Sequence, residues 1–586
     1  MRLPDDGQRE LTAPFTNSFG RSFAAAVIYH NHFESWTMLL LRQEIQAVIK
    51  RDPVIVDSYD DADHGVVIEI ARPSTMVSFL RALPQASLSE CRMAQSNLKL
   101  QFSGVTLVML GKDTSLSTVS SQGHSARSGA SIEIGMIEWC ILKGLFSPET
   151  LISAFREVMT KVRIGIVGFG AVGRATASII SQHKKLIERR SGVTLELNVI
   201  CRRSGVKPPD IPAGARVVSS WKDLVCAPDV DIVVEVMGGT EQSLELVRAA
   251  LEAGKPVVTA NKNLLAEHGD QLFALAASRN LPIGFEASVA SSIPIVRVIH
   301  ESSAGDQLRA VHGIMNGTAN YILTEMESRG IEFDNALHEA QKAGYAESDP
   351  SLDIDGIDSR DKLCILARMA FGGRLNISRI PTCGIRQIRS INVRFANRHE
   401  STIRLIGSAE NTEAGLEVSV RPWMLSRHSL LARVQGVNNA IFITGNKIGT
   451  QMFYGRGAGG DATGAVVVSD LIEIACEFAE GRLRAKNVSG FINSPELEIR
   501  QTPRPVRWCL HLTAKDQRGT VARLAELMAA FDIHIASLEQ ESRKEDSQSS
   551  FVITVEPVSE PMIGQVVKAI NALDFLIEPA LLLRME

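Results

Sequence analysis

The chain has 586 residues, 45% of them hydrophobic and 22% charged, and its formal net charge is -4 at pH 7. These values are typical of a globular protein with about three or four domains, and they exclude a mainly disordered chain. The acidic balance and the lack of a Lys/Arg-rich run argue against a nucleic-acid partner, which requires a basic surface.

The cysteines and the N-terminus predict the compartment. Eight cysteines are scattered along the chain without a Cys-x-x-Cys pair, which is typical of reduced thiols in a cytoplasmic protein and does not indicate a zinc site. The chain begins Met-Arg-Leu-Pro-Asp-Asp, and no apolar stretch of about 18 residues occurs anywhere. Neither export nor membrane association is therefore predicted.

Residues 1–158 carry the weakest patterns and no catalytic motif. Short β-rich pieces are predicted at 66–70 and 105–109. The Ser/Gly-rich segment 113–131 favours a linker over a phosphate cradle, because no Gly-Lys-Ser/Thr follows it. Helical patterns occupy 36–49, 76–83 and 131–159. This part of the chain is predicted to be an N-terminal extension, with a role that its sequence does not reveal.

A glycine fingerprint follows at the next strand. The buried-strand pattern 161–167 leads directly into a G-x-G-x-x-G motif and then a helix to about Arg190. In that context the three glycines allow a tight turn, approach of a pyrophosphate to the backbone, and close packing of the helix. A tight turn without a ligand is the less favoured alternative. The predicted cofactor-binding residues here are Gly168, Phe169, Gly170, Ala171, Val172 and Gly173.

The end of the next strand indicates which dinucleotide binds. After the strand 195–200, where a carboxylate commonly takes the ribose hydroxyl of NAD, the chain has Arg202 and Arg203. Two guanidinium groups suit a 2'-phosphate and favour NADP, with NAD as the alternative. In the other interpretation, both arginines simply face solvent at the end of a strand.

Strands and helices then alternate to about residue 285. This pattern predicts a Rossmann-type doubly wound parallel sheet with both faces covered, so the fold class is α/β. Lys262 lies where one of these strands ends, the edge at which such sheets bind ligands. It is either a functional lysine or an exposed residue at a helix start.

The loop 286–294 is rich in small residues. Such a loop is able to turn main-chain carbonyls inward around a cation, although by itself it is also compatible with an ordinary connection.

The segment 344–362 holds six acidic side chains ahead of one lysine and opens a helix. Asp358 and Lys362, four apart, are predicted to share a helix face. They form either an exposed ion pair worth about 0.2 to 0.5 kcal/mol or one wall of an acidic pocket. The pocket is favoured because Gly344, Pro350 and Gly356 stand at turn positions. Such a pocket suits an amino acid's ammonium group and a proton transfer.

Residues 160–480 resemble the homoserine dehydrogenase family. The resemblance rests on six motifs in this order: VGFGAVG at 167–173, TANK at 259–262, EASVASSIP at 286–294, GIMNGTANYIL at 313–323, GYAESDPSLDIDGIDSRDKLCILA at 344–367 and YGRGAGGDATGAVVVSDL at 454–471. It implies a dinucleotide-binding domain at 159–300 and an α+β substrate-binding and dimerisation domain at 301–480. The implied reaction is reversible NAD(P)H-dependent reduction of L-aspartate 4-semialdehyde to L-homoserine, in threonine, methionine and isoleucine biosynthesis.

The resemblance also implies roles for individual residues. Substrate-binding acids fall on Glu347, Asp353 and Asp358, the catalytic lysine on Lys362, and a second, cofactor-side lysine on Lys262. Sequence does not decide which lysine moves the proton, while Asp358 is expected to orient the substrate hydroxyl. Further cofactor contacts are expected at Gly344, Gly457 and Gly459.

A monovalent cation such as sodium is implied at the main-chain oxygens of Glu286, Val289, Ser291 and Ile293. Two departures from the family pattern bear on this region. Ser291-Ser292 stands where relatives usually have Gly or Ala, and Ala462 stands where a proline is common.

Residues 505–586 show strand, helix, two strands, helix and strand. The order looks like a ferredoxin-like ACT domain, the regulatory module that such enzymes often carry, although Arg518 replaces the usual proline. The expected partners are a threonine effector at this domain and further copies of the chain in a dimer or tetramer; a dimerisation domain without ligand is the alternative. For the whole chain, the alternative function is a non-catalytic amino-acid-sensing protein on the same fold.

Overall fold

The sheet that carries the glycine fingerprint consists of six parallel strands in the order β10-β9-β8-β5-β6-β7. This is the order of a Rossmann-type sheet, so the predicted doubly wound fold is confirmed. Its strands are β5 (Thr160–Val167), β6 (Val193–Cys201), β7 (Arg216–Val218), β8 (Ile232–Glu235), β9 (Val257–Thr259) and β10 (Ile283–Gly284). All four residues of β8 are buried, as expected for a strand covered on both faces.

Helices alternate with most of these strands, as the sequence pattern predicted. They are α1 (Ala171–Gln182), α2 (Lys184–Ser191), α3 (Trp221–Val225), α4 (Glu241–Glu252), α5 (Lys262–Arg279) and the short α6 (Ile295–Arg297). The predicted helix after the fingerprint is two helices, because His183 ends α1 and the chain restarts there as α2.

These elements belong to a computed structural model that describes residues 160–204, 211, 214–500, 503–543 and 548–586, together with four strands of the first 159 residues. The chain divides into two compact units, Met1–Met159 and Thr160–Glu586. The first unit contains the sheet β1 (Val54–Ser58), β2 (Val66–Ile70), β3 (Leu98–Phe102) and β4 (Val105–Met109). Strands β2 and β4 match the two β-rich pieces predicted there, whereas the predicted helices and Ser/Gly-rich segment lie outside the described residues.

A nine-stranded mixed sheet forms the rest of the second unit, in the order β15-β14-β11-β12-β13-β19-β16-β18-β17. Its first five strands are antiparallel neighbours. They are β11 (Leu308–Ile314), β12 (Ser401–Thr412), β13 (Gly415–Ser426), β14 (Asn438–Gly445) and β15 (Gly449–Arg456). The helices between them are α7 (Gly317–Arg329), α8 (Phe333–Lys342), α9 (Ser351–Ile354), α10 (Ile357–Phe371) and α11 (Ser390–Arg398).

The last four strands of that sheet come from the C-terminal region. They are β16 (Val506–Lys515), β17 (Ile535–Arg543), β18 (Gln548–Val558) and β19 (Leu581–Met585), with α13 (Thr520–Ala530) and α14 (Glu560–Asn571) between them. Their order, with the fourth strand beside the first, is ferredoxin-like. Sequence predicted a separate sheet, but β19 pairs in parallel with β13 at Trp423 and Met424. The C-terminal strands therefore extend the sheet of residues 301–480.

Helix α12 (Gly460–Ala479) returns to the first sheet. A Cβ on Gly464 would lie 2.8 Å from that of Ala175 in α1, so α12 and α1 are too close at this point for a larger residue than glycine. Val467 and Leu471 share one apolar core with Ile164 of β5. The predicted substrate domain 301–480 thus contributes one helix to the dinucleotide-binding part. None of the described helices is long and apolar enough to cross a membrane.

The turn before α10 requires glycine. Gly356 has φ +83°, and a Cβ there would lie 3.3 Å from side-chain atoms of both Thr382 and Val420. Gly192, after α2, has φ +75° but no neighbouring atom within 4 Å of such a Cβ. An added Cβ at Gly192 would therefore meet backbone strain alone, whereas one at Gly356 would meet both backbone strain and crowding.

We expect Gly192→Ala to lower the free energy of unfolding by about 1 to 2 kcal/mol, the cost of a left-handed non-glycine residue. Gly356→Ala is expected to cost more, by about 1 to 3 kcal/mol of overpacking. Urea denaturation of both variants measures the difference. Equal losses would show that the neighbours of Gly356 move aside without cost.

Candidate functional site

The three fingerprint glycines occupy three different environments. Gly168 has φ +99°, and a Cβ there would lie 2.4 Å from the carbonyl oxygen of Val236. A Cβ on Gly173 would lie 2.1 Å from the carbonyl oxygen of Gly168, whereas one on Gly170 meets nothing within 4 Å. The turn, the open approach and the tight helix packing that a pyrophosphate site needs are all present at the start of α1.

Two other glycine segments differ in their relation to this turn. Gly459 precedes α12 with φ +123°, and a Cβ on the next residue, Gly460, would lie 3.2 Å from the carbonyl oxygen of Ala171. The residue directly after the segment 457–459 therefore lies against the fingerprint helix. Gly344 is exposed just beyond α8, and no described contact joins it to the fingerprint.

Arg202 and Arg203 directly follow β6, at the carboxyl edge of the sheet. The backbone N–H of Arg202 donates to the carbonyl of Val218, so the chain is fixed at this point. Arg203 is exposed and Arg202 half-buried. Both lie at the edge where the predicted 2'-phosphate would be bound.

Asp358 binds two lysines, one from each part of the second unit. Its Oδ1 lies 3.1 Å from Nζ of Lys262, and its Oδ2 lies 2.9 Å from Nζ of Lys362. Lys362 also donates to the carbonyl of Met315 over 2.7 Å. Asp358 is 8% exposed and Lys362 6% exposed. The exposed i,i+4 ion pair considered from sequence is therefore wrong, and the predicted shared helix face is confirmed.

The charges within the triad of Asp358, Lys262 and Lys362 shift the pKa values of Asp358 and Lys262. Burial alone would raise the pKa of Asp358, but the ammonium groups of Lys362 and Lys262 outweigh it and hold that pKa below its usual range. The charge of Asp358 raises the pKa of Lys262 against the opposing effect of burial. The resting site thus holds a carboxylate and, at Lys262, an ammonium ion.

Asn316 is a site residue that the sequence analysis did not single out. Its Nδ2 donates to Asp353 over 2.7 Å and to Asp358 over 2.9 Å, so one amide bridges two carboxylates. Its Oδ1 accepts from the backbone N–H of Ala319 and caps α7. An Asn before a helix predicts this cap but not the bridge, which spans residues far apart in sequence.

A second bridge joins the two parts of the unit beside the triad. Asn263, next to Lys262, donates to Oδ2 of Asp361 over 2.5 Å, and Arg360 binds the other oxygen of Asp361. Burial raises the pKa of Asp361, which is 1% exposed. This contact fixes the start of α5 against α10.

The remaining predicted acids do not all join the triad. Burial, followed by the charge of Asp358, raises the pKa of Asp353. Glu347 is exposed, and its side chain makes no hydrogen bond or ion pair with the triad within the described residues. Asp355 pairs with Arg386 at the surface. The structure thus brings together Asp353, Asp358, Lys262 and Lys362, with Glu347 outside this cluster.

The predicted cation loop has an unusual backbone. Ala290 and Ser291 have φ of 54° and 37°, two consecutive non-glycine residues in the left-handed region. Such a backbone is costly and is retained where the surroundings enforce it. Within the described residues, no N–H or O–H donates to the carbonyls of Val289 and Ser291. These oxygens fit the predicted role as main-chain ligands.

The serines that depart from the family pattern have partners elsewhere. The hydroxyl of Ser291 bonds that of Thr463 over 2.8 Å, and the hydroxyl of Ser292 donates to the carbonyl of Arg456 over 2.7 Å. The hydroxyl groups of both serines are therefore bonded to other elements, Ser291 to α12 and Ser292 to β15.

Asn439 is a second residue that the sequence analysis missed. It is fully buried, and neither its Nδ2 nor its Oδ1 has a hydrogen-bond partner within the described residues. A Cβ on Gly457 would lie 1.9 Å from its Nδ2, so the glycine is required for this amide to fit. No local pattern in β14 distinguishes this asparagine.

Comparisons with known proteins agree with this geometry. A family model described as "Homoserine dehydrogenase, NAD binding domain" matches residues 168–286, and one described as "Homoserine dehydrogenase" matches residues 294–472. The chain is 36% identical to a homoserine dehydrogenase from Neisseria gonorrhoeae over 433 residues, which cover 73% of this chain and 99% of the relative. It is also 36% identical to one from Corynebacterium glutamicum over 416 residues, covering 70% and 92%.

Solved structures show the same likeness. A homoserine dehydrogenase from Thiobacillus denitrificans superposes with a TM-score of 0.66 at 32% identity, covering 73% of this chain and 99% of that one. One from S. aureus superposes with a TM-score of 0.57 at 27% identity, with the same two coverages.

Glu286, in the predicted cation loop, is expected to make the stability of the protein depend on pH. Its carboxylate accepts from the backbone N–H groups of Val296 and Arg297, and burial raises its pKa from 4.5 to about 7. Because the folded carboxyl keeps its proton to higher pH than the unfolded one, stability falls as pH rises through this window. Glu286→Gln should remove up to about 3 kcal/mol of that change.

Urea denaturation at pH 5 and pH 7.5 measures the change. Part of the slope should remain, because burial raises the pKa of Asp470 to about 6. Glu496→Gln, at an exposed carboxyl, is the control and should leave the slope as it is. The interpretation fails if Glu286→Gln shows the same pH dependence as the wild type.

Proposed function

The chain belongs to the homoserine dehydrogenase family, and on that premise we propose how its own residues carry out the family's reaction. That reaction is the reversible NAD(P)H-dependent reduction of L-aspartate 4-semialdehyde to L-homoserine, a step in threonine, methionine and isoleucine biosynthesis. The observation that carries the proposal is the triad of Asp358, Lys262 and Lys362. One carboxylate from α10 holds a lysine of its own helix and a lysine that begins a helix of the dinucleotide sheet.

The fingerprint fits a nicotinamide dinucleotide, which supplies the hydride for reduction and accepts it in the reverse direction. The residues that would hold it are those of the turn 168–173 and the segment 457–459. We assign NADP as the preferred form because Arg202 and Arg203, and no carboxylate, directly follow β6. NAD is the alternative.

We assign the proton transfer to Lys362, with Lys262 as the rival. An ammonium has three N–H donors, and Lys362 uses two of them on Asp358 and Met315. The third remains for a substrate oxygen. Asp358, with both oxygens engaged, is proposed to orient the substrate hydroxyl through the lysines that it holds.

The substrate's ammonium is assigned to the acidic side of the pocket. Asp353 is half-buried and shares the amide of Asn316 with Asp358, so its carboxylate lies next to the triad. Glu347 is exposed at the rim and is proposed to complete this subsite when the substrate enters. A sensor without catalysis, the alternative considered from sequence, gives no reason for two lysines, one buried and one half-buried, on a single buried carboxylate.

A monovalent cation such as sodium is proposed at the main-chain oxygens of Glu286, Val289, Ser291 and Ile293. The left-handed backbone at 290–291 and the unused carbonyls of Val289 and Ser291 support it. A bound cation would fix the loop that packs on α12 through Thr463.

We also propose how the protein is regulated, how it assembles and in which compartment it acts. The ferredoxin-like order of residues 506–585 supports an ACT domain with a threonine effector. A homo-oligomer, dimer or tetramer, follows from the family resemblance alone. The six cysteines of the described part of the chain are all free, which supports a cytoplasmic location.

Absorbance of NADPH tests the function directly. Adding L-aspartate 4-semialdehyde to enzyme and NADPH should cause the absorbance to decay, and repeating the assay with threonine tests the effector. A chain that binds NADPH without turnover would support the sensor instead.

We expect Lys362→Met to lower kcat by about a hundredfold to ten-thousandfold, the usual contribution of a general acid. NADPH affinity should change by less than about twofold, because Lys362 lies on the substrate side of Asp358. Lys262→Met should alter both kcat and the KM for NADPH. Steady-state kinetics and fluorescence titration of NADPH distinguish the two lysines.

Lys255→Met is the matched control. This lysine lies at the opposite edge of the same sheet, where it donates to the carbonyl of Ala227. It should lose stability and keep kcat. If Lys362→Met retains near-normal kcat, Lys362 has no part in the proton transfer.

The arginines give a prediction for cofactor choice. Arg203→Ala should weaken NADP affinity by about tenfold or more, the worth of a charge-assisted contact, and leave NAD affinity nearly unchanged. Arg189→Ala is the control, because Arg189 is exposed near the end of α2, at the opposite edge of the sheet. Equal effects on both dinucleotides would place the 2'-phosphate elsewhere.

A further inference from the structure

Glu235 is a buried carboxylate at the carboxyl edge of the dinucleotide sheet. It ends β8 and is 0% exposed. Strand β8 neighbours β5, and the chain after Glu235 lies against Gly168 of the fingerprint. Among the described residues, no lysine, arginine or histidine forms an ion pair with it.

Three donors converge on this carboxylate. Its Oε1 accepts from the backbone N–H of Met237 over 3.0 Å and from the hydroxyl of Ser243 over 3.1 Å. Its Oε2 accepts from the hydroxyl of Thr259 over 2.6 Å. Burial raises the pKa of Glu235, and these three donors, together with the side chain of Asn261, oppose that rise.

The bonds continue from Thr259 to the start of α5. The hydroxyl of Thr259 accepts from the backbone N–H of Asn261 over 3.0 Å. Asn261 caps α5 by accepting from the N–H of Leu264, and its Nδ2 donates to the carbonyl of Gly239 over 2.7 Å. Lys262, the next residue, begins α5 and reaches Asp358. Glu235 is thus joined to Lys262 by hydroxyl and backbone contacts.

The same carboxylate also shapes the loop after β8. Gly238 and Gly239 have φ of 74° and 80°, a turn that depends on fixed neighbours at both ends. Glu235 holds one end through Met237 and Ser243, and Asn261 holds the other through Gly239. Glu235 therefore helps to fix both the loop after β8 and the connection from β9 to α5, at the carboxyl edge of the sheet.

A purely structural role does not account for a fully buried acidic side chain without an ion-pair partner among the described residues. Burying a carboxylate without a counter-ion is costly, and an apolar residue would pack at the end of β8 without that cost. The acid just before β8 is different, because Asp231 pairs with Arg163 at the amino edge of the sheet over 2.5 Å. The cost of burying Glu235 is explained if its carboxyl oxygens fix the loop after β8 and the start of α5 more precisely than apolar packing would.

We propose that Glu235 is a positioning residue for Lys262, acting through Thr259 and Asn261. It sets where α5 begins, and so where the ammonium group of Lys262 meets Asp358. The inference rests on the proposed role of Lys262 and adds a residue that contacts neither substrate nor cofactor. A displacement of about 1 Å at a reacting centre is enough to cost about a hundredfold in rate.

Thr259 offers the sharpest variants. Thr259→Val keeps the shape and removes the hydroxyl, whereas Thr259→Ser keeps the hydroxyl. Thr259→Val should lower kcat by about tenfold to a hundredfold, and Thr259→Ser should recover most of that loss. Glu235→Gln should resemble Thr259→Val. The glutamine NH₂ group would face either the N–H of Met237 or the hydroxyl of Thr259, and both of these donate to an oxygen of Glu235 in the wild type. The double variant should lose little more than either single one.

A cycle with Lys262→Met separates this inference from the proposed function. If Glu235 acts through Lys262, Thr259→Val should cost less than about twofold in the Lys262→Met background. A full loss in that background would overturn the inference and leave the role of Lys262 intact. Normal turnover by Lys262→Met alone would overturn both.

Asp231→Asn is the control for stability at the other end of β8. It should lower the melting temperature and leave kcat within about twofold. If it lowers kcat as much as Thr259→Val does, the loss reflects general weakening of the sheet, and the positioning role of Glu235 is wrong.

Discussion

The site depends on one buried carboxylate that compensates two ammonium groups. A charge removed from water is tolerated only when it is paired and hydrogen-bonded, and Asp358 has two lysines and the amide of Asn316 around it. Removal of Asp358 would leave the ammonium groups of Lys262 and Lys362 side by side without the carboxylate that holds them. The geometry of the site is for this reason enforced by electrostatics as well as by packing.

Both sheets of the second unit are arranged to deliver these partners. The parallel sheet supplies Lys262 where β9 gives way to α5, and the mixed sheet supplies Met315 and Asn316 where β11 gives way to α7. Helix α10 carries Asp358 and Lys362 between them. Helix α12 then returns from the mixed sheet to α1, which holds the two parts together from the far side of the glycine turn.

Much of this was predictable because the determinants are local. The apolar run of β5, the three glycines after it and the four-residue spacing of Asp358 and Lys362 depend on near neighbours in sequence. The bridge from Asn316 to Asp353, the network of Glu235 and the pairing of β13 with β19 were not predictable in the same way. They join residues that only the folded chain brings together, and Asn, Glu and Thr are common in sites that have no such role.

The electrostatics of the triad also decide how its lysines are able to act. A lysine serves as a base only when it is neutral, yet the charge of Asp358 raises the pKa of Lys262 despite its partial burial. At neutral pH Lys262 is therefore an ammonium ion. As an aldehyde is reduced, its oxygen takes up negative charge and then a proton, and an ammonium ion is suited to both steps. Lys262, the rival of Lys362 in the proposed proton transfer, is thus held in the protonated form that reduction would require. In the proposed mechanism the reverse direction would require a proton to leave the triad first, and Asp358, whose own pKa is lowered by both lysines, is a poor group to receive it.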